Sequence, residues 1–177
     1  MHPYATTDPQ PSSTRPEAAP GAPDLPGRAR PDVATQDTSL MLGPVDTAAA
    51  DARATLRLSL KVWGLPHLTE PAQAIASELV ANAITTSRAK APPGTEPHHV
   101  TFRLTVEADD GELCIRVWDP DPTPPPHDQP LPGDDTESGR GLFIVNALST
   151  RWGWHPAPNG GKFVWSALSL DAQPADD

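Results

Sequence analysis

Proline fixes φ, removes a backbone donor and is excluded from helix interiors and central strands. Its placement therefore decides where this chain can form regular structure at all. Nine of the 24 prolines fall within the first 44 residues, among Ala, Ser, Thr, Asp and Gly with almost no large apolar side chains. Such a segment buries too little apolar surface to offset the entropy of ordering it, so residues 1–43 read as a disordered tail. Inside it, PDLPGR (Pro23 to Arg28) fits a ligand for a proline-binding module, a pattern that this composition also yields by chance. A second proline cluster, DPDPTPPPHDQPLPGDDTES, begins at Asp119. It gives about 20 residues without helix or strand signals, a length that compact domains keep when the loop has a function.

Between and after these clusters the periodicity is regular. Asp46 to Gly64 carries Leu56, Leu60 and Trp63 at helical spacing, and Gly64 and Pro66 end the helix. A second helix is predicted from Thr69, its N-cap, to about Ser87, with Ile75, Leu79 and Ala83 as one stripe and Ala76, Val80 and Ile84 widening it. HVTFRLTVEADDGELCIRVWD then alternates twice around an Asp-Gly turn. Val100, Phe102, Leu104 and Val106 share one strand face, as do Leu113, Ile115 and Val117 on the next. A helix over 139–149 follows the long loop, and a last hairpin joins Arg151–His155 to Lys162–Leu170 through PAPNGG. The order helix, helix, hairpin, loop, helix, hairpin predicts an α+β fold: a two-layer α/β sandwich with helices on one face of a mostly antiparallel sheet. The predicted domain spans 44–171, and 172–177 is an acidic C-terminal tail.

Charge and composition narrow the function. A net charge of −10 and a pI near 4.9 argue against direct nucleic-acid binding, which needs a basic footprint. The N-terminus lacks the pattern of a signal peptide, and the longest apolar run, GLFIVNAL, is too short to span a bilayer. Cys114 is the single cysteine, so no internal disulfide forms and a cytoplasmic setting is expected.

Three places could carry chemistry. In SELVANAI, Glu78 and Asn82 are four residues apart and project from the same side of a helix. They read either as a solvated polar pair or as a hard-cation site, with the Asn82 carbonyl oxygen toward Mg²⁺ and Glu78 orienting or deprotonating a hydroxyl. Asp119 ends an apolar strand, where a buried carboxylate must find a donor such as the exocyclic amine of adenine, or else starts a turn before proline. The stretch SGRGLFIV places Gly139, Arg140, Gly141 and Leu142 at a helix start, where backbone N–H groups and the helix dipole favour an anion. The alternative there is a tight loop-to-helix turn. NGGKFVW is not a phosphate-binding loop, because the upstream glycine is missing and Phe163 follows the lysine.

In this order and spacing, ELVANA, the strand ending in Asp119, the long loop and GRGLFIV resemble the motifs of the GHKL ATPases, the histidine kinase-like and chaperone-like ATP-binding domains. The similarity covers roughly residues 46–170 and looks closest to the single-domain anti-sigma-factor serine kinases of partner-switching systems. The resemblance implies ATP and Mg²⁺ as ligands, with Asn82 coordinating Mg²⁺ and Glu78 acting as general base on a serine hydroxyl. It further implies that Asp119 binds the adenine amine. Gly139, Arg140, Gly141 and Leu142 would hold the phosphates, and the loop 120–138 would be the ATP lid. The partners it implies are an anti-sigma-factor antagonist and/or a sigma factor, with a homodimer left open. The chain departs from the family at Asp121, where a glycine is usual, and at Phe163, where a threonine often serves the adenine site. These departures leave two activities open, phosphorylation of the antagonist or ATP-gated binding of a partner without useful kinase activity.

Overall fold

The computed structural model describes residues 35–90, 101–125 and 140–171, excluding the side chains of Lys90 and Arg140. Five strands form one antiparallel sheet: β1 (Gln36–Leu42), β2 (Phe102–Asp109), β3 (Glu112–Asp119), β4 (Arg151–Pro156) and β5 (Lys162–Ser169). They lie in the order β1-β2-β3-β5-β4. Three α-helices, α1 (Ala48–Val62), α2 (Thr69–Lys90) and α3 (Arg140–Leu148), complete the expected two-layer α+β sandwich.

The alternation read in the sequence is what joins the layers. Phe102, Leu104, Val106 and Ala108 of β2 and Leu113, Ile115 and Val117 of β3 are all buried on the face that meets the helices. Register places Val117 opposite Leu104 on β2 and opposite Val164 on β5, so the three strands present one continuous apolar surface. Against it lie Ile75, Ala76, Leu79, Val80 and Ala83 of α2. Helix α1 contributes Ala48, Ala52, Leu56 and Leu60, each four residues from the last and each fully buried. Its end is closed by Leu65 N–H to Leu60 O at 2.8 Å and Gly64 N–H to Lys61 O at 3.3 Å, a Schellman arrangement with Pro66 beyond it. Pro71 lies in the first turn of α2, where no intrahelical donor is required.

One boundary is corrected. Residues 36–42 fall inside the segment read as a disordered tail, yet they form β1 and pair with β2 from Gln36↔Ala108 to Leu42↔Phe102. Two inward side chains, Leu40 and Leu42, join the core, and Ser39 Oγ bonds Leu104 O. At a sheet edge this suffices, because only one neighbouring strand and one face have to be satisfied. Residues 1–34, the C-terminal 172–177, Val100 and most of the expected lid lie outside the described residues. Among the described residues, no helix is long and apolar enough to cross a membrane.

Among the described residues, no helix packs on the opposite face of the sheet. That face is covered by its own side chains: Arg116 pairs with Glu107 at 2.6 Å and lies 5.9 Å from the Phe163 ring centroid, and Arg151 lies 6.0 Å from that of Trp165. Trp165 folds over Gly153, where an added Cβ would come within 2.8 Å of its ring. Cys114 is buried on this face, and that burial pushes its thiol up to about 11. Iodoacetamide at mildly alkaline pH is therefore expected to leave the folded protein unmodified and to label Cys114 once denaturant unfolds the chain, read by mass spectrometry. The native thiol stays protonated where the unfolded one ionises, so stability should fall as pH rises from about 9 towards about 11.

Candidate functional site: a pocket between α2, α3 and the sheet

Where the apolar packing between α2 and the sheet ends, a pocket of about 480 Å³ opens. That lies within the range of small-molecule sites. Its floor is apolar, made by Leu79, Val117 and Val164, and its walls carry the polar groups. From α2 come Glu78, Asn82 and Thr86, four residues apart and thus stacked along one helical face, with Thr85 beside them. The Thr86 hydroxyl donates to Asn82 O at 2.8 Å, one turn back in its own helix. From α3 come Gly141 and Leu142. Asp119, Lys162, Asp121 and Thr123 form the far end, and Pro124 and Pro125 line its edge.

Of the residues read from the sequence, Glu78, Asn82, Asp119, Gly141 and Leu142 thus line one pocket, although they are spread over more than sixty positions of the chain. Arg140 begins α3, and Gly139 lies outside the described residues. The reason for Gly141 is now specific. A Cβ there would come within 2.5 Å of Glu78 Oε2, so the absent side chain leaves room for the Glu78 carboxylate against the first turn of α3. That carboxylate sits at the positive end of the helix dipole.

Asp119 is the buried acceptor expected at the end of this strand, and the chain itself supplies a donor to it. Lys162 Nζ donates to Asp119 Oδ1 at 2.9 Å and to Asp121 O at 2.9 Å, and the backbone N–H of Asp121 donates to the same Oδ1 at 3.0 Å. Asp119 and Lys162 are 3% and 4% exposed, which makes this a buried ion pair. They face each other because they are directly opposed in the β3–β5 register. Burial raises the Asp119 carboxyl above its ordinary value, while the Lys162 hydrogen bond and charge, and the Asp121 N–H, pull it back down.

The loop after Asp119 is held the same way. Asp121 Oδ1 accepts from the Thr123 N–H at 3.1 Å and from the Thr123 hydroxyl at 2.8 Å, so two consecutive Asp turns fix the root of the long loop. Gly161 presses on this corner: φ is +76° and a Cβ would fall 2.2 Å from Asp119 O, so no other residue fits. Phe163 and Trp118 do not belong to the pocket. They oppose each other in register and point to the other face of the sheet, where Trp118 Nε1 donates to Gly160 O at 3.0 Å and Phe163 packs by His155. The residue that faces the pocket is Lys162, one position earlier. Its signal was present in the sequence: in KFVWSAL the lysine stands in alternation with Val164 and Ser166, on the inward face.

Among the described residues no three His, Cys, Asp or Glu side chains are grouped to hold a metal ion by themselves. A Mg²⁺ ion that takes one or two protein oxygens and the rest from phosphates and water is compatible with Asn82 and Glu78 on one wall.

The Gly141–Glu78 contact gives a stability prediction. Gly141→Ala alone must push the Glu78 carboxylate aside, whereas in a Glu78→Ala background the same change should stabilise α3 by about 0.5–1 kcal/mol. A double-mutant cycle by denaturant unfolding reads the difference, and additive effects would show that the two residues do not meet.

The comparisons with known proteins bear on the fold and the family. In solved structures the fold resembles the crystal structure of the RsbU and RsbW domains of Rv1364c from Mycobacterium tuberculosis, with a TM-score of 0.52 and 22% identity. The match covers 78% of this chain and 33% of that one, so this chain corresponds to about a third of the longer protein. The comparison with curated proteins gave no match. Residues 45–165, about two thirds of the chain, match the histidine kinase-like ATPase domain, and the chain belongs to that family.

Proposed function

We propose that the pocket binds ATP with Mg²⁺ and that the protein is a regulatory kinase that transfers the γ-phosphoryl group to a serine or threonine of an anti-sigma-factor antagonist. The observation that carries this reading is the convergence of Glu78 and Asn82 on the same pocket as Asp119 and Gly141, with an apolar floor between them. Family membership supports the nucleotide, and the likeness to a protein containing an RsbW domain supports the partner-switching setting. The protein partners proposed are an antagonist and/or a sigma factor, with a homodimer as the candidate assembly and the cytoplasm as the setting.

In this reading Val117, Val164 and Leu79 would pack against the purine, Asp119 would accept from its amine, and Asn82 and the start of α3 would hold the phosphates. Asn82, through its carbonyl oxygen, would hold Mg²⁺, which would supply charge neutralisation. Glu78 accepts the proton of the substrate hydroxyl as its oxygen bonds to the γ-phosphorus. The bond from that phosphorus to the β–γ bridging oxygen breaks, and ADP leaves with the electron pair. Little covalent chemistry falls to the protein, so most of its contribution is positioning.

Calorimetric titration of ATP, with and without Mg²⁺, tests the site. Micromolar, Mg²⁺-dependent binding is expected for the intact protein and its loss for Asn82→Ala. Binding that ignores both the metal and the substitution would remove Asn82 from the role.

One observation favours the second activity, ATP-gated partner binding without useful kinase turnover. The Glu78 carboxylate rests against the first turn of α3 at Gly141, so a base must first leave that position. Single-turnover phosphotransfer to a matched antagonist separates the two. The kinase reading expects Glu78→Gln to slow transfer about 100-fold or more, the usual worth of a general base. Transfer at an unchanged rate would mean that Glu78 is not the base.

A further inference from the structure

The buried pair at the base end of the pocket does more than satisfy a charge. The charged side chains lining the pocket, among the described residues, are Glu78 from α2, Asp119 from β3, Asp121 from the loop and Lys162 from β5. Three are carboxylates and one is a cation. The uncharged polar groups are Asn82, Thr85 and Thr86 from α2 and Thr123 from the loop. Asp119 is the most deeply buried of the three acids, and its carboxylate accepts from Lys162.

We infer that Lys162 is a specificity-determining residue of the nucleotide pocket: by keeping Asp119 a charged acceptor, it makes the base end select a 6-aminopurine over a 6-oxopurine. The inference rests on the nucleotide-binding reading above. A carboxylate only accepts hydrogen bonds, whereas a carboxylic acid donates one. A 6-aminopurine presents an N–H donor at the position where a 6-oxopurine presents an acceptor oxygen. The protonation state of one carboxyl group therefore decides which base the pocket complements.

Burial by itself drives Asp119 toward the neutral acid, and the Lys162 ammonium is the principal opposing influence. The geometry shows how it acts without touching the ligand. Both of its hydrogen bonds run into the protein, to Asp119 Oδ1 and Asp121 O. The Asp121 N–H takes the same Oδ1, so Oδ2 makes none of these contacts. Lys162 thus fixes the charge and the rotation of the carboxylate and ties the root of the long loop to β5. It is a positioning residue, acting through Asp119.

The test compares ATP with inosine triphosphate, which has an oxo group in place of the 6-amino group and a proton on N1, by calorimetry on intact protein and on Lys162→Met, Lys162→Gln and Lys162→Arg, with circular dichroism to verify folding. The intact protein should prefer ATP. In Lys162→Met the ratio of ATP to inosine triphosphate affinity should drop about tenfold or more, the worth of one charge-assisted hydrogen bond. The preference for ATP should return as pH is raised and Asp119 ionises without its partner. Lys162→Arg should hold the ratio, and Lys162→Gln carries the same measurement if the methionine variant does not fold. A folded neutral variant that weakens both nucleotides equally, with a ratio that pH does not move, overturns the inference while leaving the nucleotide site standing. An intact protein that binds neither nucleotide overturns the nucleotide reading itself, and this inference with it.

Discussion

The structure depends on one contact surface, the packing of α2 against the inward face of β2, β3 and β5. Ile75, Leu79, Val80 and Ala83 on one side, and Leu104, Val106, Ile115, Val117 and Val164 on the other, exclude water over most of the interface. Each fully buried aliphatic side chain contributes about 1.5–3 kcal/mol relative to exposure, so this layer holds helix and sheet in a fixed relation. The pocket lies where the apolar pattern stops on both sides at once. Along α2 it gives way to Asn82 and Thr86, and along β3 to Asp119. A ligand there meets polar groups whose positions are set by the core behind them.

Much of this was legible in the chain because it is written in short-range periodicity. Leu56 and Leu60 marked α1, the alternation from Phe102 to Val117 marked the first hairpin, and the four-residue spacing of Glu78 and Asn82 placed both on one helical face. What was not legible depends on which strands become neighbours. Strand β1 carries only Leu40 and Leu42 on its inward side and follows a proline-rich segment, so nothing local separates it from a tail. The partner of Asp119 lies 43 residues away and is defined by the β3–β5 register alone. A one-residue difference in that register sends a side chain to the opposite face, and so Lys162 lines the pocket while Phe163, one position on, does not.

Gly141 shows a second kind of limit. A glycine at a helix start has several physical explanations, among them a phosphate that approaches the backbone. The atom that occupies the space in this structure is Glu78 Oε2, from the very residue read as a base on independent grounds. Two sequence motifs that look separate are therefore one piece of geometry. The space given up by Gly141 is what lets α2 and α3 share a carboxylate at the mouth of the pocket.

The Asp119–Lys162 pair has a consequence for how this chain can change over time. Removing one member of a buried pair leaves an uncompensated charge, at a cost on the order of 3–5 kcal/mol. That is a large share of the 5–15 kcal/mol by which folded domains outlast unfolding. A change at either position alone therefore draws on that margin, and Gly161 is locked to the same corner by the Asp119 carbonyl. The three residues form a single unit of inheritance. A lineage that alters this end of the pocket must either replace them together or first gain stability elsewhere.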